Sequence, residues 1–350
     1  MVPKRVRRAQ RVQREQQGFI LILTLFILAA IMIVAAYFGQ RAQQSLQRAQ
    51  ARQALTDKQV AISNTRAEIL FRLCTTHLSQ YGLGVPNGEI ALDDRPYANE
   101  GTTVQLQDSR GLIAINYVGD VQLSNFLAVM KVPVEQRGHL ADTLHDYIDA
   151  DDLRHLEGAE SAEYAAAGLP PPRNLPLVSP IELKSIIGWR DMPTLWQDPP
   201  VTEFVSVGVI APINPNTASW QVLASLPGVT PALAQAVVER RKIEPISVAL
   251  FEQMTGTNQS SFPPEAVTFP SNSMRVTQRA IGMPWAIRYN VRLTPLGNTS
   301  PWQIGYYYRI EEKSDSASAN NVANSSEIPQ LPARSALSAT PEVMPIFGPG

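Results

Sequence analysis

The stretch Phe19–Phe38, FILILTLFILAAIMIVAAYF, is twenty consecutive residues without charge, glycine or proline. As a helix rising about 1.5 Å per residue it covers roughly 30 Å, the thickness of a bilayer core. The apolar part of a secretory signal is shorter, about 7–15 residues, and ends at a small-residue cleavage site. Here the apolar run leads instead into helix-forming sequence. Ahead of it, residues 1–18 carry Lys4, Arg5, Arg7, Arg8, Arg11 and Arg14 against the single acid Glu15, a net +5. A basic flank of this kind keeps the N-terminus in the cytoplasm and sends the chain after residue 40 across the membrane.

From Gln40 to Tyr81 there is again no glycine or proline, and Ala, Gln, Arg and Leu dominate. These are good helix formers. Leu55, Ile62, Ile69 and Leu73 form an apolar stripe at helical spacing. The spacing predicts one helix from about Phe19 to about Tyr81, with Gly39 as its weak point.

The whole chain of 350 residues has 30 basic and 31 acidic side chains. Taking away the basic leader leaves 24 basic and 30 acidic groups, net −6. That balance argues against a strongly basic nucleic-acid binder. The single cysteine, Cys74, excludes an intrachain disulfide framework and a multi-cysteine zinc site. Its expected role is that of a small buried apolar residue.

Beyond the helix the composition changes three times. VQLQDSRGLIAINYV, residues 104–118, alternates around Ser109–Arg110–Gly111 and reads as a hairpin of Val104 and Leu106 against Leu112–Tyr117. Residues 122–273 read as an all-helical block, with helices expected at 122–130, 135–149, 160–167, 179–187, 217–225, 230–241 and 247–254. Residues 274–312 return to alternating strands rich in β-branched and aromatic side chains. A helical block between two sets of strands reads as an insertion into one antiparallel sheet. Residues 313–350, mostly Ser, Ala, Asn and Pro, read as a disordered tail.

The densest chemistry lies between Asp142 and Glu163, where eight acids face one basic side chain, Arg154. Hard oxygen ligands this close together suit Ca²⁺, and Asp149-Ala-Asp151-Asp152 leaves a helix end where the chain can curl round a cation. The spacing is not that of an EF-hand. The competing reading is a solvated acidic helix face. Ser179 with Glu182 reads as a capping box at a helix start.

INPNTASWQVLASLPGVTPALAQAVVERRK, residues 213–242, resembles a helix-hairpin-helix with Asn216 as the first N-cap. Such hairpins hold DNA phosphates through backbone N–H groups. Here Pro231 removes a donor, and three bases (Arg240, Arg241, Lys242) meet three acids (Glu203, Glu239, Glu244) across 201–250. A phosphate binder is more basic than that. The four histidines, His77, His139, His145 and His155, sit in no triad or metalloprotease context, and neither a P-loop nor a dinucleotide fingerprint occurs.

Gly18-Phe19, a basic leader ending in glycine before a long apolar helix, resembles a type IV prepilin or pseudopilin processing site. The resemblance implies cleavage between Gly18 and Phe19 by a prepilin peptidase and N-methylation of Phe19. Most of that family has Glu at the fifth mature position; here it is Leu23. In a growing filament that Glu would pair with the amine of a neighbouring subunit, and a charge in lipid needs such a partner. A subunit with no neighbour above it has no amine to neutralise, so leucine fits a filament tip. Leu23 is therefore similar to the minor pseudopilin K of type II secretion. So are the helical insertion, the segment D-Y-I-D-A-D-D…E-G-A-E…Y and Asn174.

That resemblance implies an α+β fold: a long N-terminal transmembrane and amphipathic helix packed on an antiparallel pilin-like sheet, with a large inserted all-helical domain. It divides the chain into a cleaved leader (1–18), a transmembrane part (19–38), pseudopilin helix and first strands (39–121), inserted domain (122–273), C-terminal strands (274–312) and tail (313–350). It implies calcium at Asp149, Asp151, Asp152, Glu157 and Glu160. It further implies a non-catalytic assembly protein in the bacterial inner membrane at the tip of a periplasmic pseudopilus. The implied partners are minor pseudopilins I and J, then H and the major pseudopilin, with no nucleic acid. The alternative is a membrane-anchored helix-hairpin-helix protein of DNA binding or uptake.

Overall fold

A computed structural model describes residues 4–84, 89–208, 211–258, 262–311 and 328–333, with side chains from residue 21 onward. Uninterrupted helix formers give a first helix, α1 (Lys4–Thr75). It is the one described helix long and apolar enough to cross a membrane. It stops short of the expected Tyr81 because the chain turns into a small hairpin, β1 (Leu78–Ser79) with β2 (Gly82–Leu83). The chain divides into two units, Met1–Val60 and Ala61–Gly350. In the first unit the apolar side chains are exposed, among them Phe26, Ile33 and Leu55. Leu55 thus departs from the stripe expected to be buried.

The second unit contains a five-stranded antiparallel sheet ordered β3 (Asp93–Asn99), β4 (Thr102–Asp108), β7 (Ser273–Ala280), β8 (Trp285–Leu293) and β9 (Trp302–Glu311). Period-two alternation puts Val104, Leu106, Met274, Val276, Tyr289 and Val291 on one face, where they meet Ile62, Ile69, Leu70 and Leu73 of α1 in a single core. The hairpin expected within 104–118 does not form. The partner of β4 is the earlier strand β3, joined through Glu100 and Gly101, both at positive φ (33° and 82°). Two-residue loops of that hand match the twist of the paired strands. Ser109–Gly111 forms a 3₁₀ turn, and the chain leaves the sheet there. It continues as β5 (Ile113–Ala114), paired in parallel with β6 (Val205–Ser206).

Between β4 and β7 lie α2 (Asp120–Val129), α3 (Val134–Ile148), α4 (Ser161–Ala166), α5 (Trp220–Leu223), α6 (Pro231–Arg240), α7 (Val248–Thr255) and α8 (Pro264–Thr268). Of these, α2 to α7 share a second core that includes Phe126, Leu140, Leu144, Trp189, Val222, Val237 and Phe251. Asn116 ties its segments together: it donates to Leu177 O (2.9 Å) and Val207 O (2.6 Å) and accepts from Leu177 N (2.9 Å). The expected helix at 179–187 is a 3₁₀ helix, Pro180–Ser185. Ser179 makes no cap bond, and Glu182 accepts instead from Val178 N at 2.8 Å.

Since β4 and β7 are hydrogen-bonded neighbours, the helical block leaves and rejoins the sheet at one place. Buried Asp108 pins that neck. Its Oδ1 accepts from Arg110 N, Ser271 N and Ser271 Oγ at 2.8–3.1 Å. Its Oδ2 accepts from Asn214 Nδ2 (3.2 Å) and Thr217 Oγ1 (3.0 Å). A second polar joint lies on the sheet face away from α1, where Arg288 donates twice to Glu203 at 2.7 Å. Arg275 donates to Asp94 at 2.9 Å and to the carbonyls of Thr202 and Glu203.

Two expectations need correction. Cys74 is exposed, not buried: it flanks the core stripe, directly after Leu73, and its Sγ lies 3.9 Å from Pro301 O. Of the supposedly disordered tail, Ile328–Ala333 is placed against the sheet: Gln330 pairs in parallel with Ala98, and Leu331 packs on the α1–sheet core. The remainder of 313–350 lies outside the described residues.

Candidate functional site

The acidic loop joins α3 to α4. α3 ends at Ile148, and Asp149 leaves it in an extended conformation. Glu160 stands directly before α4 and its N–H donates to Glu163 Oε2 at 3.0 Å. The loop closes so that one carboxylate oxygen each from Asp149, Asp151 and Glu160 lie within 4.8 Å of one another. Asp146, Asp149 and His155 form a second such group sharing Asp149. Glu160 is 3% exposed, yet neither of its carboxylate oxygens has a hydrogen-bond donor. Asp149 Oδ1 and Asn174 Oδ1 are also buried without one. Asn174 reaches the loop by donating to Asp151 O at 2.6 Å.

The electrostatics follow from crowding. Burial, then the charges of Asp146, Asp149 and Asp152, raise the pKa of Glu160 to about 7. Burial and the charges of Asp151 and Asp146 raise that of Asp149. His155 is raised by its hydrogen bond to Asp146, whose carboxylate also accepts from His155 N at 3.1 Å. Gly158 lies so close over Asp146 that a Cβ there would come within 1.9 Å of Oδ2. A side chain at that position would force the buried carboxylate or the loop over it to shift. Buried acceptors without donors, and carboxylates pushed towards their neutral forms, leave an all-oxygen pocket short of positive charge.

Three of the five expected ligands, Asp149, Asp151 and Glu160, are brought together. Asp152 stands beside them and accepts from Ser161 N at 3.4 Å. Glu157 is not in either group; its carbonyl meets His139 Nδ1 at 2.5 Å and its N–H donates to Asp142 at 2.9 Å. Asp146 and His155 were not among the expected ligands. Position alone could have flagged Asp146, which precedes Asp149 by one helical turn.

The described part of α1 includes Gly18, Phe19 and Leu23 as helix. Leu23 is about half exposed, and the side chains at Gly18 and Phe19 lie outside those described.

The helix-hairpin-helix segment forms α5 and α6. Ser219, not Asn216, caps α5, accepting from Val222 N at 3.4 Å. Asn216 instead bridges to Ile246, accepting from its N–H at 2.7 Å and donating to its carbonyl at 3.1 Å. Thr230 caps α6 through Leu233 N at 3.3 Å. The basic residues are engaged within the fold. Arg241 donates to the carbonyls of Pro215 and Ala218, Arg240 pairs with Glu244, and Lys242 pairs with Glu239.

The long helix, the antiparallel sheet and the helical block together make an α+β pseudopilin fold. A solved structure with this fold is the GspK-GspI-GspJ complex from the enterotoxigenic Escherichia coli type 2 secretion system. The matched chain is 16% identical with a TM-score of 0.50, the match covering 78% of this chain and 99% of that one. Residues 105–195, which contain Asp108 of the neck, the acidic loop and Asn174, match the family model for type II secretion system protein K, and 209–248 match that of a helix-hairpin-helix motif. No curated protein matches the chain in sequence. Over 105–195 the chain is thus similar to type II secretion system protein K, and in fold it is similar to the matched chain of that complex.

Proposed function

We propose that this chain is the minor pseudopilin that caps the tip of the periplasmic pseudopilus in a type II protein secretion system, a non-catalytic assembly component. The observation that carries the reading is the protein K match over 105–195, which falls where the helical block leaves the sheet. The block adds bulk at one site of a pseudopilin sheet, and bulk there obstructs stacking of a further subunit. Leu23, an apolar residue in the fifth mature position, suits a subunit with no neighbour's amine to meet. In this reading a prepilin peptidase cuts between Gly18 and Phe19. The apolar helix crosses the inner membrane once, with its basic end in the cytoplasm. Minor pseudopilins I and J bind first, then H and the major pseudopilin; the similar solved structure is itself a complex with GspI and GspJ.

The proposal includes calcium at the acidic loop. Asp149, Asp151 and Glu160 would hold it, with Asp152 beside them, and the donorless oxygens of Glu160 and Asp149 fit a hard divalent cation. The ion would neutralise the loop and fix the turn between α3 and α4. Nucleic acid is not a partner in this reading, because the bases of the hairpin are paired with acids or backbone carbonyls.

N-terminal sequencing and intact mass of the mature protein test the reading: a methylated Phe19 is expected, and an uncut leader refutes it. Immunolabelled pseudopili should carry label at one end; label along the shaft refutes the tip. Melting of the protein should rise with added Ca²⁺ and fall with chelator, and Glu160→Gln should remove most of that response. No response in the wild type would remove calcium from the proposal and leave the pseudopilin reading standing. Salt-sensitive DNA retardation at physiological ionic strength would favour the DNA-binding alternative.

A further inference from the structure

The tail segment Ile-Pro-Gln-Leu-Pro-Ala, Ile328–Ala333, runs along the outer edge of β3. Ala98 N donates to Pro329 O (2.9 Å), and Leu331 N donates to Ala98 O (2.8 Å). Leu331 inserts beside the core between α1 and the sheet. At the end of the segment, Pro332 O accepts from Arg72 Nη1 at 2.6 Å. Arg72 is 4% exposed and is held in place by Glu68 through Nε (3.1 Å) and Nη2 (2.5 Å). Glu68 in turn accepts from Asn99 Nδ2 at 2.9 Å, so the guanidinium is fixed to the β3 edge whether or not the tail is there. The groove is therefore built from three sides: a strand edge, an apolar notch, and a buried cation with one N–H aimed at a carbonyl.

The sequence of the segment suits this groove. An edge strand offers unpaired N–H and C=O groups, and Ala98 presents both outward. Pro329 supplies a carbonyl and no N–H, Leu331 supplies the N–H, and Pro332 supplies the last carbonyl. The prolines hold the segment extended and stop the added strand from templating another. β9 ends at Glu311 on the opposite edge of the sheet, four strand spacings or about 19 Å from β3. The sixteen residues 312–327 span up to about 53 Å, more than enough to reach. Two backbone bonds, one charge-assisted bond and one leucine are few contacts, so the segment opens far more readily than the sheet.

We propose that the β3 edge and Arg72 form a docking groove for an extended proline-flanked peptide, and that Ile328–Ala333 of the same chain fills it as a detachable latch. The latch covers an edge strand that would otherwise pair with any passing strand. Releasing it presents Ala98 and Arg72 together as a strand-addition site.

Hydrogen exchange of the full-length protein in detergent tests this through the amide of Ala98. Leu331→Asp should speed exchange there at least tenfold and leave the amides of Val276 and Tyr289 unchanged. A synthetic peptide of residues 328–333 at millimolar concentration should slow it again. Unchanged exchange at Ala98 in the variant, or no effect of the peptide, overturns the proposal. Protection in the wild type that rises with protein concentration would assign the groove to the tail of a second copy and overturn the same-chain latch. Should Leu331→Asp unfold the sheet, a protease site placed within 312–327 serves instead. After cutting, Ala98 should lose protection on dilution; protection that survives dilution overturns a detachable latch.

Discussion

Replacing Glu203 by alanine should unfasten the helical block from the sheet. Glu203 accepts from both terminal nitrogens of Arg288 at 2.7 Å, and its Oε2 lies 3.7 Å from Arg275. The two arginine side chains are 4% and 1% exposed, the glutamate 21%. Removing one partner of a buried ion pair costs about 3–5 kcal/mol, chiefly because the charge left behind stays desolvated. Asp94 still neutralises Arg275, and water reaches part of Glu203, so about 2–4 kcal/mol is expected here. For a unit of this size that is a fall in melting temperature of roughly 5–15 °C. The comparison is Glu239→Ala, which breaks an exposed pair with Lys242 and should cost at most about 1 kcal/mol. Near-ultraviolet circular dichroism of the protein in detergent reads both transitions. If Glu203→Ala melts no lower than Glu239→Ala, the joint is not held by this ion pair and the reasoning fails.

Three further outcomes can be measured. Burial pushes Glu203 up, but Arg288 and Arg275 outweigh it and hold its pKa below the ordinary glutamate value; its contribution is present above that ordinary value and lost as pH falls through the folded one, so urea midpoints of wild type and Glu203→Gln should converge on acidification. Asn116→Ala strands the Leu177 N–H and two carbonyls, at about 1–3 kcal/mol for each buried group left unpaired, and a urea titration showing no loss would contradict that. Cys74, exposed and with its thiol pushed up by partial desolvation, should take one maleimide per folded chain, slowly at neutral pH and faster at higher pH, where an inert thiol would refute its placement.

The apolar run, the helical block and the late strands were legible because each has a period or composition that local physics reads directly. β3 was not legible. Asp93, Asp94, Arg95 and Pro96 are poor strand residues, and the strand exists because an edge position tolerates proline and because Arg275 and Arg241 meet its acids. The docked tail was invisible for a related reason: its partner Arg72 is 260 residues away, and six residues with two prolines carry no periodic signal. At the acidic loop, charge density marked the segment from Asp142 to Glu163, and the family resemblance picked out five positions that include Asp149, Asp151 and Glu160. It could not separate these from Glu157, whose backbone is drawn to His139 and Asp142. Nor could it show that Asp146 is buried with His155 against it, which depends on how Gly158 folds the loop back.

The neck at Asp108 carries one more consequence. To the sheet, everything between Asp108 and Ser273 is the loop of a hairpin, closed at its base by the pairing of β4 with β7. Closing a loop costs free energy that grows only with the logarithm of its length, about 0.6 kcal/mol for each doubling. The sheet is therefore nearly indifferent to how large the cargo on this hairpin is. A lineage could double the block, trim it or exchange it for another, and the strands beneath would fold almost as before.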